Sequence, residues 1–405
     1  MNETIEVFLW PDKIIGTLFF RSSKGQESSS FEYHRDWLSD RQNSFAIDPT
    51  LELFPGVFHT KNMPIFGALG DSSPDRWGRT LILRNELYRA KEAGQTPRTL
   101  TELDFLLGIN DETRLGALRF RKKDSEDFLA AVEKNCIPPL VSLPKLLNAT
   151  ERVLKSKESD EDLRLLLIGG SSLGGARPKA SVYNKNDLSI AKFPKNDDDF
   201  QITLWEACAL SLAQKAGIQV PEWRIEKIIN KPVLILKRFD RKGKQRIPFI
   251  SAMSMLGAKD KEQHSYLEIA HAIIRYGAQP ERDLEELWKR MVFNICISNI
   301  DDHLRNHGFL LNTPKGWELS PAYDLNPVSR QKGSNFHSLA INQSSSEGLI
   351  ETAFSVLKEF RIKNEKAKSI LKDVQKSVSE WQTTARFLGI SKQEISRMES
   401  EFQVR

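Results

Sequence analysis

The sequence has no long apolar run and few cysteines, and each absence excludes a class of protein. No segment of the 405 residues approaches the ~20 consecutive apolar residues that a membrane-spanning helix needs. The opening residues, MNETIEVFLWPDKIIG, carry acidic side chains where a secretory signal peptide needs basic ones. Cys136, Cys208 and Cys296 lie far apart in apolar surroundings, which argues against a disulfide framework or a thiolate metal site. We therefore expect a cytoplasmic protein with no membrane segment.

The sequence also lacks internal repeats, long low-complexity tracts and a strong excess of either charge. Hydrophobic residues make up 40% of the chain and charged residues 28%, with a formal net charge of +5. This composition is typical of a globular protein with two or three domains and sizeable cores. The mild positive charge permits contact with nucleic acid or an acidic partner without requiring either.

Sequence patterns predict strands in the first part of the chain. The segments TIEVFLW and KIIGTLFFR predict two strands joined by a turn at Pro11–Asp12. The segment SPDRWGRTLILRNELYRAKEAG predicts a helix, because Ser-Pro-Asp is a good helix start and Gly94 a good helix end. The charged stretch RKKDSED then marks the end of an N-terminal module.

The second block of the chain predicts a small lobe of strands and helices. LPKLLNATERVLKSKESDEDLRLLL is helix-like, LSIAKFP predicts a strand, and DFQITLWEACALSLAQKAGIQVP predicts a helix that stops at Gly217. WRIEKIINKPVLILKRFDR predicts two strands joined by a turn at Asn230–Lys231. The third block predicts helices in SYLEIAHAIIRYG and RDLEELWKRMVFNICISN, followed by a Lys-rich pair of helices from Leu349 onward.

These elements predict an α+β fold with a β-rich N-terminal part and a mostly helical C-terminal lobe. A β-rich lobe followed by a helical lobe is the order of a two-lobed, protein-kinase-like fold that clamps a nucleotide in a cleft. The predicted domains are residues 1–125, an N-terminal module; residues 126–240, a lobe with a Gly-rich loop; and residues 241–405, a helical lobe with catalytic and metal-binding loops.

A glycine-rich segment, GGSSLGGARPKA, is the candidate cradle for nucleotide phosphates. Glycines let backbone amides approach anionic oxygens closely, and Arg177 and Lys179 add positive charge. The segment is not a Walker A loop, because Ala176 follows Gly175 where that motif has lysine, and it is not a dinucleotide G-x-G-x-x-G motif. A plain hairpin turn fits the same letters, so this segment alone does not decide between the two.

Lys192, in the strand LSIAKFP, is the candidate cation. It follows Gly175 by 17 residues and resembles the strand lysine that protein kinases place over the ATP phosphates. An edge-strand lysine that faces water is the alternative interpretation.

The segment SNIDDHLRNHGFLL supplies the other parts that phosphoryl transfer needs. Asp301 and Asn306 have the D-x-x-x-x-N spacing of a kinase catalytic loop, in which the Asp accepts the proton of the substrate hydroxyl and the Asn binds a metal ion. Asp324 follows Asn306 by 18 residues, where a second metal-binding Asp is expected. Mg²⁺ prefers a few oxygen ligands of this kind. The adjacent Asp302 is expected to be a solvated neighbour. Two consecutive carboxylates raise the question of which is the base, and the five-residue spacing to Asn306 favours Asp301.

His303 and His307 are four residues apart, a spacing that also occurs in helical zinc sites. The glutamate of H-E-x-x-H is missing, and Gly308 disfavours a continuous helix, so we do not expect zinc. His303 is expected to border the phosphates or to brace the loop.

With these motifs in hand, the chain resembles the HipA family of serine/threonine kinases, the toxins of HipA–HipB toxin–antitoxin pairs. The segments GALGDSSPDRWGRTLI and LDFLLGINDETRLGALRF are similar to the family's N-terminal module. The segments SSLGGARPKA, AKFP, KRFDR, DDHLRNHGF and AYDLNP are similar to its kinase core. The resemblance covers most of the chain.

The resemblance implies a role for each motif. Asp301 corresponds to the catalytic base, Asn306 and Asp324 to the Mg²⁺ ligands, and Lys192 to the lysine on the ATP phosphates. The implied nucleotide-binding residues are Gly174, Gly175, Ala176, Arg177, Pro178, Lys179, Lys192, Lys237, Arg238, Phe239, His303, Leu304, Arg305, Asn306, Tyr323 and Asp324. Residues 237–239 correspond to the segment that holds the adenine. Family members often have an acidic residue at the position of Lys237, so only backbone contacts carry over there.

Ser172 corresponds to the serine that family members autophosphorylate. A phosphate adds about 1.5 to 2 negative charges, which would repel the ATP phosphates and favour an ejected, inactive loop. Ser171 is an alternative acceptor, and either residue could be an ordinary turn serine.

The resemblance therefore implies an ATP- and Mg²⁺-dependent toxin kinase. Its implied substrate is a translation component such as an aminoacyl-tRNA synthetase, and its implied partner is a HipB-like helix-turn-helix antitoxin, through which it could contact DNA. Two alternatives remain open: a small-molecule kinase of the same fold, and a non-catalytic kinase-like partner of a DNA-binding repressor.

Overall fold

The computed structural model describes residues 2–123, 125–129, 137–170, 175–185, 187–195, 198–313, 315–329, 336–343 and 345–402. The chain forms two compact units. The first comprises Met1–Asn196 and Lys227–Ile250, and the second comprises Asp197–Glu226 and Ser251–Arg405. The predicted division into three domains stays a prediction.

The chain contains both strands and helices, with strands first and helices last. Up to residue 196 they are β1 (Asn2–Leu9), β2 (Lys13–Ser23), β3 (Gln26–Tyr33), α1 (Arg35–Ser39), β4 (Val57–His59), α2 (Gly67–Gly70), α3 (Arg76–Glu92), α4 (Glu102–Leu107), β5 (Leu118–Lys122), α5 (Leu143–Leu154), α6 (Asp160–Ile168), β6 (Lys179–Asn184) and β7 (Asp187–Lys192). From residue 197 they are α7 (Ile202–Lys215), β8 (Trp223–Ile228), β9 (Lys231–Lys237), β10 (Arg241–Lys242), β11 (Gln245–Arg246), β12 (Phe249–Ser251), α8 (Ala252–Met255), β13 (His264–Ser265), α9 (Tyr266–Tyr276), α10 (Pro280–Cys296), β14 (Gly308–Thr313), β15 (Gly316–Leu319), β16 (Leu339–Ala340), α11 (Ile350–Ser355), α12 (Asn364–Val378), α13 (Trp381–Phe387) and α14 (Lys392–Arg397).

The first unit contains an antiparallel sheet with strand order β4-β3-β2-β1-β5. Alternate residues of β1 and β2, such as Ile5, Val7 and Leu18, point into one core, where they meet Trp37 of α1. This alternation is the pattern of strands with one buried face. The predicted strand pair that turns at Pro11–Asp12 is confirmed.

A second core in the first unit lies between helices and the antiparallel strands β6, β7 and β9. Leu143 and Leu146 of α5, Trp77 of α3 and Ala191 of β7 all belong to it. Helix α3 starts where the sequence predicts, because the Asp75 carboxylate accepts a hydrogen bond from the backbone N–H of Gly78 at 2.8 Å and so caps the helix.

The turn that joins β8 and β9 is placed one residue earlier than predicted. Ile229 and Asn230 have φ values of 48° and 62°, so both adopt the left-handed conformation of a tight hairpin turn. Asn230 tolerates this conformation, whereas Lys231 already begins the strand β9. Asn230 therefore does mark the turn, but it is the second of the two turn residues and not the first, as the sequence predicts.

The second unit is mostly helical, as the sequence predicts. Helix α9 begins with a capping box between Ser265 and Glu268, and α10 begins at Pro280, whose fixed φ suits the first helical position. Trp288 and Phe293 of α10 are fully buried. Strands β14 and β15 form an antiparallel pair that follows the segment between Ile297 and His307.

The C-terminal part contains four described helices, α11 to α14, rather than the predicted pair. Gly389 adopts a φ of 84° after α13, and Ser391 caps α14, so the chain is divided more finely than its lysine pattern indicates. The rings of Trp381 and Phe402 stack at 4.3 Å between centroids, which attaches the last described residue to the unit. Among the described helices, none has both the length and the apolar character needed to cross a membrane.

Candidate functional site

The loop that follows α10 holds the candidate catalytic carboxylate. Asp301 is exposed, whereas Leu304 and Asn306, in the short 3₁₀ turn after it, are buried. The Asn306 side chain donates its Nδ2–H to the backbone carbonyl of Asp301 at 3.4 Å. The loop therefore ties the amide of the predicted D-x-x-x-x-N pair to the backbone of its exposed aspartate.

Asp302 differs sharply from its neighbour Asp301, and the expectation that it is solvated is wrong. Only 2% of Asp302 is exposed. Its Oδ2 atom lies 2.5 Å from the Tyr266 hydroxyl, 3.0 Å from Asn294 Nδ2 and 2.8 Å from His307 Nε2. Burial alone would raise the pKa of Asp302, but the charge and hydrogen bond of His307 and the hydrogen bond of Tyr266 outweigh it and lower that pKa.

The segment that contains Asp324 is tied to the same loop. The Tyr323 hydroxyl donates a hydrogen bond to the backbone carbonyl of Arg305 at 2.7 Å. Asp324 itself has a φ of 60°, an uncommon conformation for a residue other than glycine, and such strain is concentrated at functional sites. Its Oδ1 atom accepts a hydrogen bond from Asn326 Nδ2 at 3.3 Å. Within the second unit, the structure thus brings the 301–306 loop and the Asp324 segment together.

The oxygen donors of this arrangement fit Mg²⁺. The hydrogen bond from its Nδ2 to Asp301 orients the Asn306 amide and leaves its carbonyl oxygen as an acceptor. Asp324 adds a half-buried carboxylate. A carboxylate and an amide oxygen, completed by water and phosphate, are ligands that Mg²⁺ accepts. Among the described residues, no group of three or more His, Cys, Asp or Glu is arranged to hold a metal ion.

The two histidines of the loop have different surroundings. His307 is buried and bonded to Asp302, whereas His303 is half-buried, with an Nδ1 atom that lacks a hydrogen-bond partner in the part of the chain that the structure describes. The His307 Nδ1 atom likewise has no hydrogen-bond partner among the described residues, so the two rings differ in burial and in the hydrogen bond to Asp302.

In the first unit, the end of the glycine-rich segment leads directly into β6. Gly175 has a φ of 100°, so it needs the conformational freedom of glycine. Gly175 and Ala176 are exposed, Arg177 is half-buried, and Pro178 is buried. The predicted residues Ser171, Ser172 and Gly174 lie outside the described residues.

Lys179 forms a buried ion pair that the sequence did not predict. Its Nζ atom lies 2.6 Å from Asp75 Oδ2, and the two side chains are only 2% and 3% exposed. Burial raises the pKa of Asp75, and the opposing effects of Lys179 and of the Gly78 N–H do not cancel that rise. The Trp77 indole donates a hydrogen bond to the Lys179 carbonyl at 3.1 Å. Two residues of the SSPDRWGR motif thus contact Lys179, at the end of the glycine-rich segment.

Lys192 lies directly opposite Lys179 in the antiparallel pair β6–β7. Directly opposed residues in such a pair project from the same face of the sheet. Lys179 is buried against a carboxylate, whereas Lys192 is half-buried at the end of its strand. The two lysines therefore share a face of the sheet but differ in burial.

The predicted adenine segment, residues 237–239, is fixed by a buried arginine network. The Arg238 guanidinium bonds to the Asp240 carboxylate at 2.5 and 2.8 Å and to the carbonyls of Thr113 and Arg114. This side chain is therefore fully occupied, and the backbone N–H of Arg238 also donates a hydrogen bond to the Leu188 carbonyl, at 3.0 Å. The Lys237 ammonium lies 3.1 Å from Asp187, and the ring of Phe239 lies against that of Phe249 at 6.3 Å.

We expect Asp75→Asn to lower the free energy of unfolding by about 3 kcal/mol or more, because it removes the charge that compensates a buried ammonium. The double variant Asp75→Asn/Lys179→Met should recover part of that loss, since it removes both charges. Urea denaturation of the two single variants and the double variant gives the coupling free energy. If the losses of the two single variants simply add up in the double variant, the coupling free energy is zero and the ion pair does not stabilise the fold.

Sequence reasoning missed several residues of the site. The sequence around Asp75 indicates only a helix start, and motif spacing does not group Asp302, His307, Tyr266 and Asn294 into one cluster. The available signal was the apolar context of Asp302 and His307, between MVFNICI and GFLL, since polar groups in such a context need buried partners. The roles predicted for the other site residues stay predictions.

The comparisons with known proteins define the class of the fold. The chain is similar in structure to HipA from the Shewanella oneidensis MR-1 complex of HipA, HipB and operator DNA, with a TM-score of 0.67 and 17% sequence identity. The match covers 98% of this chain and 94% of the Shewanella chain. The predicted α+β, kinase-like fold of the HipA type is therefore confirmed.

The sequence comparisons define the family. The model of the HipA-like C-terminal domain matches residues 171–381, just over half of the chain. The chain belongs to this family. It is 25% identical over 344 residues to "Putative kinase Y4mE" of Sinorhizobium fredii, covering 78% of this chain and 75% of that protein. It is 26% identical over 185 residues to a "Putative kinase" of Haemophilus influenzae, covering 40% of this chain and 53% of that protein.

Proposed function

We propose that this protein is an ATP- and Mg²⁺-dependent protein serine/threonine kinase that acts as the growth-inhibiting toxin of a toxin–antitoxin pair. The observation that carries the proposal is the loop of the second unit. There, the Asn306 amide donates a hydrogen bond to the backbone carbonyl of the exposed Asp301 at 3.4 Å, and Tyr323, beside Asp324, donates one to the Arg305 carbonyl at 2.7 Å. Kinase chemistry needs a base and two metal ligands in this combination.

In the proposed reaction, the oxygen of a serine or threonine hydroxyl attacks the γ-phosphorus of ATP. The new O–P bond forms as the bond between the γ-phosphorus and the β,γ-bridging oxygen breaks, so ADP leaves. The hydroxyl proton passes to the Asp301 carboxylate, whose exposure lets it reach a protein substrate. Asn306 and Asp324 would hold Mg²⁺, which supplies charge neutralisation for the phosphates.

The predicted site residues of the first unit are assigned to ATP binding. Lys192 contacts the phosphates, the backbone from Gly175 to Pro178 approaches them, and the backbone of residues 237–239 contacts the adenine. The half-buried position of Lys192 and the occupied side chain of Arg238 support these assignments. Lys179 is assigned to the pocket through the backbone that its ion pair with Asp75 holds in place.

Autophosphorylation at Ser172, or at Ser171 beside it, is the proposed off switch. The added negative charge, three residues before Gly175 in the chain, would oppose the phosphates of ATP. The proposed partner is a HipB-like helix-turn-helix antitoxin, with operator DNA contacted through the complex, as in the assembly of the Shewanella protein. The proposed substrate is a translation component of the aminoacyl-tRNA synthetase class, and the proposed location is the cytoplasm.

The test is transfer of label from γ-³²P-ATP in the presence of Mg²⁺ and a clarified bacterial lysate. We expect labelled protein bands that yield phosphoserine or phosphothreonine on acid hydrolysis. Label that enters only small molecules would instead identify a small-molecule kinase. Binding of ATP with no transfer to any acceptor would identify a non-catalytic partner of a repressor, and either result would overturn the proposal.

A further inference from the structure

A buried polar cluster lies directly behind the candidate catalytic loop. It consists of Tyr266 at the start of α9, Asn294 near the end of α10, and Asp302 and His307 of the loop. All four residues are buried, with exposures of 0%, 1%, 2% and 2% in that order. Burying polar groups in the interior costs free energy unless they form hydrogen bonds with one another. The hydrogen bonds within the cluster therefore determine whether it is stable.

The hydrogen bonds of the cluster converge on one atom, Asp302 Oδ2. A carboxylate oxygen only accepts, so the Tyr266 hydroxyl, Asn294 Nδ2 and His307 Nε2 all donate to it. Asn294 Nδ2 also donates to the Tyr266 oxygen at 3.2 Å, and its Oδ1 accepts from Asn299 Nδ2 at 3.1 Å. Three donors on one ionised oxygen are charge-assisted and short, which compensates the buried charge.

The cluster bears on the candidate site because two of its members, Asp302 and His307, directly follow candidate site residues in the chain. Asp302 directly follows the candidate base Asp301, and His307 directly follows the candidate metal ligand Asn306. The 2.8 Å bond between Asp302 and His307 therefore closes the loop immediately beside both functional residues.

Two further anchors join the closed loop to helices of the same unit. Tyr266 and Asn294 tie Asp302 to α9 and α10. The His307 carbonyl accepts the backbone N–H of Ala252, at the start of α8, at 2.8 Å. The rings of Tyr266 and His307 also meet edge to face, at 5.7 Å between centroids. The loop ends are thus attached to three helices, while Asp301 remains exposed.

We propose that Asp302 and His307 form a clasp that fixes the separation of Asp301 and Asn306. They are positioning residues, because neither side chain is exposed to a substrate. The clasp rests on the proposed function, since it matters for catalysis only if Asp301 and Asn306 act on ATP. A displacement of about 1 Å at a reacting group can cost about 100-fold in rate, so the loop needs such a constraint.

The test compares His307→Gln with His307→Asn. The Gln amide nitrogen reaches the place of the imidazole Nε2 and can still donate to Asp302, whereas the Asn amide is too short. We expect kcat for phosphoryl transfer within a few-fold of wild type for Gln and about 10- to 100-fold lower for Asn, by analogy with residues that orient metal ligands. Tyr266→Phe is the matched control, since it removes one donor from Asp302 but keeps the bond between residues 302 and 307.

Hydrogen exchange supplies a readout that is independent of activity. The Asn306 N–H bonds to the His303 carbonyl at 2.8 Å, so it should exchange slowly in the wild type without nucleotide, and faster in His307→Asn than in His307→Gln. Wild-type exchange as fast as that of an open surface loop would overturn the clasp even if neither variant folded. Equal kcat and equal exchange in folded Gln and Asn variants would also overturn it.

The two proposals fail in different ways. A wild-type protein that transfers no phosphate but protects the Asn306 amide would retain the clasp and contradict the kinase assignment. A protein that transfers phosphate but responds equally to Gln and Asn at position 307 would retain the kinase assignment and contradict the clasp.

Discussion

Asp301→Asn is expected to lower the rate of phosphoryl transfer about 100- to 10,000-fold, the range that a general base contributes. Asparagine keeps the size of the side chain but cannot accept the hydroxyl proton. The affinity for ATP should stay close to that of the wild type, because the lost interaction with the proton forms only in the transition state. Initial rates of ³²P transfer, combined with calorimetric titration of ATP, separate the two effects.

Asp373→Asn is the matched control for this experiment. Asp373 is an exposed carboxylate on α12 of the same unit, so its replacement should change neither rate nor affinity. If Asp301→Asn labels itself and its targets as fast as Asp373→Asn, then Asp301 is not the base. A loss of ATP binding together with activity would point instead to a structural defect of the loop.

Asp324→Asn is expected to lower transfer about 100- to 1,000-fold, because it removes a charge that neutralises the phosphates through a metal ion. It should also raise the Mg²⁺ concentration needed for half-maximal activity. Asparagine is the informative replacement, since it tolerates the φ of 60° that Asp324 adopts, whereas alanine would be strained there. Rates measured over a Mg²⁺ series test both expectations.

Asn326→Ala is a useful companion variant, because Asn326 donates a hydrogen bond to Asp324 without being an assigned ligand. We expect a smaller loss of rate and little change in the Mg²⁺ requirement. An unchanged Mg²⁺ requirement in Asp324→Asn itself would show that this carboxylate does not bind the metal ion.

Local signals predicted the elements of this fold well. The strand pair around Pro11–Asp12 and helix α3 lie where the sequence places them, because turn residues and helix caps act over a few positions. The D-x-x-x-x-N spacing also predicted the loop around Asp301, since both residues lie in one short segment. Local signals failed for the chain after Leu349, which divides into four described helices where the lysine pattern indicates two.

Long-range contacts could not be predicted from the sequence. Two consecutive aspartates look alike in a sequence. Asp302 differs from Asp301 because it is buried against Tyr266 and Asn294, which lie in distant parts of the chain. The pairing of Lys179 with Asp75 spans 104 positions and turns an apparent loop cation into an interior residue. Motif spacing therefore identifies chemical candidates, whereas the division between catalytic and positioning residues needs the fold.

Binding of Mg·ATP to variants of this chain tests the central claim, that Lys192 and Asp324 each take part in nucleotide binding. Calorimetric titration should give one ATP per chain, with an affinity that Lys192→Met weakens about 10- to 100-fold through loss of a charged hydrogen bond. Lys227→Met, which removes an exposed lysine from β8, should bind as the wild type does. Wild-type affinity in Lys192→Met, with weakened binding in Asp324→Asn, would contradict the account.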